Sequence, residues 1–176
     1  MIKLNFKNYC IRSFQKDDID SLSNYANNYK IAKYLKPGFP FPYTKKHAEE
    51  WIAITSTQQP ELNFAIANSE EVIGAIGAKF KDDMSIYNPE IGYWLGEPFW
   101  GKGIATTAVI TFCNYLFNNF NFNRLTANVF TGNEASKKIL EKSGFVLERI
   151  ERKAVYKENK FLDLYIYGLL KEDFTR

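Results

Sequence analysis

The sequence predicts an α/β fold in which one mixed, mostly antiparallel central sheet of about seven strands is flanked by helices. Two kinds of periodicity support this class. Short segments that alternate polar and apolar residues, typical of half-buried strands, are interspersed with longer segments whose apolar residues recur with helical spacing. The length of 176 residues, with 45% hydrophobic and 24% charged residues, fits a single domain spanning residues 1–176.

The first half of the chain is expected to contain one strand, two or three helices and a hairpin. A strand covers residues 9–13, and a helix opens at Asp18 with apolar residues spaced for burial on one face. Three prolines within residues 37–42 remove backbone donors and prevent regular structure there. Thr44 can cap the helix that follows, and two alternating segments within residues 62–80 predict a hairpin.

The second half continues with a strand, a helix, a strand, a helix and a final hairpin. Aromatic and aliphatic residues at 90–95 predict a strand, and the apolar spacing that follows predicts a helix ending near residue 119. A strand at residues 124–130 precedes a helix that Asn133 can cap, and residues 145–170 contain the hairpin. This order of elements is typical of layers built around one sheet.

The glycine loop (residues 100–106) lies between the strand at residues 90–95 and the next helix. Gly101 and Gly103 allow the backbone to approach a ligand closely, and the first N–H groups of a helix have no acceptor within it. The helix dipole reinforces these donors, so the loop can bind phosphate. The glycine spacing matches neither a Walker loop nor a dinucleotide fingerprint. The alternative is that the glycines serve only as a turn.

Composition and charge argue against several classes of function. A net charge of +3 is too small to indicate nucleic-acid binding. The N-terminal residues alternate polar and apolar side chains, so neither a secretory signal nor a membrane span is expected, and the protein is assigned to the cytoplasm. Cys10 and Cys113 are expected to be buried, and together with His47 they give no metal-ligand spacing. His47, at a helix start, is expected to be solvated and is assigned no role.

Five segments, in order, resemble the GCN5-related N-acetyltransferases (the GNAT superfamily), and in detail the branch that acetylates ribosomal-protein amino termini (the Rim branch). They are residues 90–95, residues 100–106, residues 133–136 with Gly144 and Phe145, residues 147–148, and residues 163–167. The similarity covers nearly the whole chain. Trp100 departs from the family pattern, which has Gln or Arg at the first position of the pyrophosphate motif. The backbone donors survive this change, whereas a polar side-chain contact from position 100 would be lost.

The resemblance implies that acetyl-CoA is bound as the acetyl donor and that no metal takes part. The pyrophosphate is expected on the glycine loop, and the pantetheine arm along the main chain of the preceding strand, where a backbone N–H can stabilise an oxyanion. The cofactor-binding residues implied are Tyr93, Trp94, Leu95, Gly101, Lys102, Gly103, Ile104, Ala105, Thr106 and Asn133.

The implied reaction is direct attack of a primary amine on the thioester, without a covalent intermediate. The resemblance makes Ser136 the proton donor to the departing thiolate, but Asn133 and Ser136 are spaced so that they can instead form a capping pair. Glu148 is the first candidate for the base that deprotonates the amine, and Glu90 is the second. The alternative for Glu148 is a salt bridge beside Arg149.

The acceptor implied by the resemblance is a protein N-terminal α-amino group. A small-molecule amine (a polyamine, an amino acid or an aminoglycoside) and a non-catalytic acyl-CoA-binding module are the alternatives. Phe39 and Phe41, in the proline loop, are expected to bind the acceptor because exposed aromatic side chains must either bury or line a groove. Asp163 is expected to be a structural partner of a tyrosine or a substrate contact. The expected assembly is a monomer or homodimer, with no nucleic-acid or membrane partner.

Overall fold

The computed structural model describes residues 2–80 and 85–174. Within them it contains eight strands, five α-helices and short 3₁₀ turns at Lys16–Asp18 and Glu97–Phe99. In chain order the strands and helices are β1 (Lys3–Phe6), β2 (Tyr9–Arg12), α1 (Ile19–Ala26), α2 (Tyr29–Ala32), α3 (Lys45–Thr57), β3 (Asn63–Ala67), β4 (Val72–Lys79), β5 (Glu90–Leu95), α4 (Ile104–Asn119), β6 (Arg124–Phe130), α5 (Glu134–Lys142), β7 (Val146–Lys157) and β8 (Lys160–Leu170).

All eight strands form one sheet in the order β1-β2-β3-β4-β5-β6-β8-β7. The β5–β6 ladder is parallel, whereas β1–β2, β2–β3, β3–β4, β6–β8 and β7–β8 are antiparallel. The predicted fold class is confirmed, with eight strands in place of about seven. The additional strand is β1, which is short, lies at the sheet edge and pairs Leu4 with Ile11. Its four residues alternate polar and apolar side chains, which is the shortest alternation that indicates a strand.

The chain divides into two compact units. Unit 1 comprises the described residues within 1–77 and 93–108. Its core contains buried side chains of α1, α3, β3 and β4, among them Leu22, Ala48, Ala65 and Val72. In unit 1, β4 and β5 approach so closely at Gly74 that a Cβ there would overlap the carbonyl oxygen of Trp94.

Unit 2 comprises the described residues within 78–92 and 109–176. Its buried side chains include Phe112 and Leu116 of α4, Leu125 of β6, Leu140 of α5 and Tyr167 of β8. The predicted apolar face of α4 is confirmed, because every residue assigned to it is buried. These are Ile104, Ala108, Val109, Phe112, Cys113 and Leu116. Cys10 and Cys113 are both buried, as expected.

The predicted helix caps are confirmed. The Thr44 side chain accepts a hydrogen bond from the backbone N–H of His47 at 3.4 Å, and the His47 ring accepts one from the backbone N–H of Thr44 at 3.1 Å. His47 therefore completes a capping box, a role that its sequence position did not indicate. At the other end of the chain, Asn133 caps α5 and Gly144 follows it with φ +95°.

Strand β7 contains two bulges. Leu147 pairs with Tyr167 and Arg149 pairs with Ile166, so Glu148 is an extra residue in the ladder. Further along β7, three residues between Glu151 and Val155 face a single residue of β8. β-Bulges bend a strand and redirect its side chains. The first bulge therefore determines where the carboxylate of Glu148 points.

Candidate functional site

The glycine loop has the backbone conformation that a phosphate site requires. Gly101 and Gly103 both have φ +74°, and a Cβ added at either would meet no atom within 4 Å. The first hydrogen bond of α4 runs from Thr107 N–H to the Gly103 carbonyl at 3.1 Å, so the N–H groups before it have no acceptor within the helix. The space next to both glycines and the donors at the helix start fit a pyrophosphate.

Trp100 makes a polar contact that its sequence position did not predict. Its indole N–H donates to the carbonyl oxygen of Leu95 at 2.6 Å, while 43% of the residue remains exposed. The polar side chain of the family motif is replaced here by a donor that points back to the end of β5. The contact could have been anticipated from the indole, which is a donor without acceptor capacity.

The turn between β5 and the glycine loop is attached to its surroundings in unit 1. Gly96 N–H donates to the Ile73 carbonyl at 2.7 Å, and the Phe99 ring packs edge-on against Tyr25 with centroids 5.4 Å apart. Glu97 accepts hydrogen bonds from Asn28, at 2.8 Å, and from Lys30. The hydrogen bonds from Lys30 and Asn28 lower the pKa of Glu97, which keeps this carboxylate ionised.

The predicted pantetheine strand is the end of β5. Tyr93 and Trp94 are half-buried and Leu95 is buried, so their side chains are largely packed. The carbonyl oxygens of Trp94 and Leu95 face Gly74 and the Trp100 indole, respectively. Core packing of the side chains is compatible with a ligand that uses only the main chain.

Phe39 and Phe41, the predicted acceptor residues, differ in their surroundings. Phe39 packs against the core, with its ring centroid 5.1 Å from Tyr43 and 6.2 Å from Trp94. Phe41 is 50% exposed and lies 5.6 Å from the ring of Tyr29, which is 51% exposed. The structure thus brings Phe39 next to the predicted cofactor strand, whereas Phe41 forms an accessible aromatic pair with Tyr29.

In unit 2, Asn133 and Ser136 form the capping pair that the sequence allowed. The side-chain oxygen of Asn133 accepts from Ser136 N–H at 3.2 Å. This interaction uses the backbone N–H of Ser136 and not its hydroxyl.

Lys137 follows Ser136 and is held at the start of α5. Its ammonium lies 3.6 Å from the ring centroid of Tyr165 and 2.8 Å from a carboxylate oxygen of Glu134. Burial opposes the charged form, but the hydrogen bond to Glu134 and the Tyr165 partner prevail, so the pKa of Lys137 is raised. The ammonium of Lys137 is therefore held between Tyr165 and Glu134.

Glu148 forms an ion pair, but not with the arginine expected from the sequence. Its carboxylate pairs with Arg124 of β6, while Arg149 pairs with Glu151 at 2.7 Å. A Cβ on Gly168 would overlap both Glu148 and Arg124, so the pair crosses β8 where no side chain intervenes. The salt bridge that the sequence offered as the alternative role of Glu148 is therefore present, but its partner is Arg124 and not Arg149.

The other two carboxylates have different surroundings. Glu90 is half-buried on β5, where its backbone pairs in parallel with Thr126. Asp163 has a structural role, which was one of its two expected roles, but the partner of its carboxylate is a backbone N–H and not a tyrosine. Its carboxylate accepts from Lys153 N–H at 2.8 Å and its backbone pairs with Thr131. Asp163 thereby stabilises the second bulge of β7, where Lys153 has φ +53°.

Residues 2–80 and 85–174 include no cluster of three or more His, Cys, Asp or Glu arranged to hold a metal ion. In the same part of the chain, no helix has the length and apolar character needed to cross a membrane.

Comparison with known proteins identifies the family. The model of the acetyltransferase (GNAT) domain matches residues 8–146. An uncharacterized N-acetyltransferase, p20 of Bacillus licheniformis, is 29% identical over 171 residues, which cover 94% of each chain.

Solved structures share the fold. One is RimL, a ribosomal L7/L12 α-N-protein acetyltransferase in complex with coenzyme A, with a TM-score of 0.84 and 16% identity over 96% of this chain and 98% of that one. Another is a spermidine N-acetyltransferase from Vibrio cholerae in complex with CoA and spermine, with a TM-score of 0.79 and 20% identity over 95% and 98%. Because the family model spans most of the sequence and the fold agrees, the chain belongs to the GNAT family and is an acetyl-CoA-dependent acetyltransferase.

Proposed function

We propose that this single-domain enzyme transfers the acetyl group of acetyl-CoA to a protein N-terminal α-amino group. The glycine loop carries the donor half of the proposal, because two glycines with φ +74° and open space precede the start of α4. The loop N–H groups and the helix dipole would hold the pyrophosphate. Lys102 adds a positive charge in the same loop, 5.6 Å above the Phe99 ring.

The main chain of Tyr93, Trp94 and Leu95 is proposed to bind the pantetheine arm. The packed side chains of these residues hold the strand in place, which suits recognition through the backbone. Asn133 is proposed to contact the same arm while it caps α5. A cap that is already formed costs no ordering when a ligand binds.

Ser136 is proposed to protonate the departing thiolate. Its hydroxyl lies at the start of α5, and the neighbouring Lys137 ammonium is fixed by Glu134 and Tyr165. The positive charge of Lys137 is proposed to stabilise the thiolate before Ser136 protonates it.

Glu148 is proposed as the base that accepts the amine proton, directly or through water, with Glu90 as the second candidate. The bulge in β7 directs the Glu148 side chain, and the ion pair with Arg124 holds its carboxylate in place. The pH dependence of the rate of Glu148→Gln tests this role.

The protein amino terminus is supported by the accessible pair of Phe41 and Tyr29. A peptide presents side chains behind its α-amino group, and half-exposed aromatic rings can contact them. The solved structure of RimL, named as an α-N-protein acetyltransferase, shares the fold. We further infer that the enzyme acts in the cytoplasm as a monomer or homodimer.

A small-molecule amine is the second candidate acceptor, supported by the spermidine N-acetyltransferase of the same fold. A panel of peptides with different amino termini, together with polyamines, amino acids and aminoglycosides, separates the two by the rate of free thiol release. We expect the highest kcat/KM with a peptide. Faster turnover of a small amine would overturn the choice of acceptor, and acetyl-CoA binding without turnover of any amine would indicate a non-catalytic module.

A further inference from the structure

We propose that Trp100 is a positioning residue: its indole N–H holds the glycine loop in the conformation that receives the pyrophosphate. This inference rests on the proposed binding of acetyl-CoA by that loop. Trp100 would thus replace a side chain that contacts the ligand by one that orders the backbone donors instead.

Trp100 completes a closed turn at the end of β5. The turn contains backbone hydrogen bonds from Phe99 N–H to the Gly96 carbonyl, at 3.0 Å, and from Trp100 N–H to the Glu97 carbonyl, at 3.1 Å. The indole N–H then reaches back to the Leu95 carbonyl at 2.6 Å. Residues 95–100 are therefore joined at both ends, so the last residue of β5 and the first residue of the glycine loop keep a constant separation.

Residues 96–99 of this turn are also held by contacts with other residues of unit 1. Gly96 is hydrogen-bonded to Ile73, Glu97 to Asn28 and Lys30, and the Phe99 ring packs against Tyr25. These contacts immobilise residues 96–99 but do not reach the glycines. Trp100 extends that order directly to Gly101, and the Lys102 ammonium, 5.6 Å from the centroid of the Phe99 ring, is a second contact between the turn and the loop.

Ordering the glycine loop costs backbone conformational entropy. Glycine loses more backbone freedom on ordering than other residues, and two of the loop's first four residues are glycine. A loop that is ordered before the ligand arrives binds more tightly, because binding then causes no further loss of loop entropy. The acceptor of the indole belongs to Leu95, which is 6% exposed, so loss of the N–H would also leave a poorly hydrated carbonyl.

The indole N–H cannot donate to the Leu95 carbonyl and to the ligand at the same time. Trp has one donor and no acceptor, and that donor is engaged with Leu95. The contribution of the indole N–H to acetyl-CoA binding is therefore indirect, and it should be largest for the part of the ligand held by the loop. Donors with and without the pyrophosphate should therefore respond differently to loss of the indole N–H.

The test compares Trp100→Phe with the parent enzyme, using Trp51→Phe as the matched control. Trp51 is a partly buried tryptophan of α3 that packs against the core of unit 1. In calorimetry, we expect Trp100→Phe to raise the Kd for acetyl-CoA about 10-fold, the change that corresponds to one lost buried hydrogen bond. The KM for acetyl-CoA should rise similarly, whereas kcat at saturating donor and the KM for the amine should stay within about 2-fold. Trp51→Phe should change none of these values.

A truncated donor separates positioning from general damage. S-acetylpantetheine lacks the pyrophosphate but keeps the arm assigned to the Leu95 main chain, so Trp100→Phe should lower its kcat/KM less than that of acetyl-CoA. Replacement of Trp100 by β-(3-benzothienyl)alanine, which keeps the ring shape and removes only the N–H, should reproduce the effect even if the Phe variant is unstable.

The outcomes distinguish this inference from the function on which it rests. Equal Kd values for acetyl-CoA in the parent and both Trp100 variants would overturn the inference, and so would an equal loss of kcat/KM with both donors. Failure of the parent enzyme to bind acetyl-CoA would instead refute the proposed function.

Discussion

Substitution of Gly74 by alanine tests the close approach of β4 and β5. A Cβ at this position would lie inside the shortest distance that real Cβ atoms show to an oxygen, here the Trp94 carbonyl, and also 3.1 Å from Leu95 Cα. Both obstacles are backbone atoms, which cannot rotate away. The two strands must therefore move apart by about half an ångström at a site that is buried on all sides.

The expected cost follows from comparison with overpacked cores. Insertion of a methyl group into a packed interior typically costs about 1–3 kcal/mol, and rigid neighbours place Gly74→Ala at the upper end, about 2–3 kcal/mol. For a chain of this size, each kcal/mol lowers Tm by about 2–4 °C. Urea titration should show a lower midpoint with an unchanged slope.

Gly92→Ala is the matched control, because Gly92 also lies in β5 and a Cβ there would meet nothing within 4 Å. Its free energy of unfolding should stay within about 0.5 kcal/mol of the parent value. If Gly74→Ala and Gly92→Ala unfold at the same urea concentration, the contact of β4 with β5 at Trp94 is not as close as described.

Four other predictions test the site and the core. Gly103→Glu introduces a carboxylate and a side chain at φ +74°, so acetyl-CoA binding measured by calorimetry should fall below detection, while parent-like binding would reduce the loop to a turn. Ser136→Ala should lower kcat about 10²-fold with little change in the Kd for acetyl-CoA, and an unchanged kcat would leave the serine only its backbone role in the cap. Glu148→Gln should slow acetylation most at neutral pH and less at high pH, where the amine is already deprotonated. A parent-like pH–rate profile would argue against Glu148 as the base, and Glu90→Gln would then be tested in the same way. Loss of the ion pair alone should lower the free energy of unfolding by at most about 1 kcal/mol. Burial raises the pKa of Tyr43 to about 12. The contribution of Tyr43 to stability should therefore be complete below its unfolded pKa of about 10 and be lost as the pH rises towards 12. In alkaline urea titrations, Tyr43→Phe should unfold less readily than the parent.

Features that depend on local chain chemistry were predictable from the sequence. Thr44 and Asn133 cap helices because their side chains reach N–H groups three residues away, and Gly101 and Gly103 have the positive φ that glycine permits. The bounds of β5 agree for the same reason, since its aromatic and aliphatic run ends at Gly96.

Features that depend on strand register were not predictable. Glu148 pairs with Arg124, 24 residues away, because β6 and β7 flank β8 at Gly168 and a bulge redirects the carboxylate. Sequence proximity favoured Arg149, which instead pairs with Glu151. The separate surroundings of Phe39 and Phe41 likewise depend on tertiary packing, since nothing in a proline-rich segment indicates which ring will be buried.

The second bulge of β7 has a consequence for how this enzyme can vary. Residues 155–157 pair with β8 beyond the bulge, and residues 146–151 pair before it, so the two parts of the hairpin keep register separately. A change in length within the bulge would be absorbed there and would not turn the residues near Glu148 to the other face of the sheet. The tip of the hairpin can therefore diverge in length and sequence among related enzymes while the carboxylate at the first bulge keeps its place.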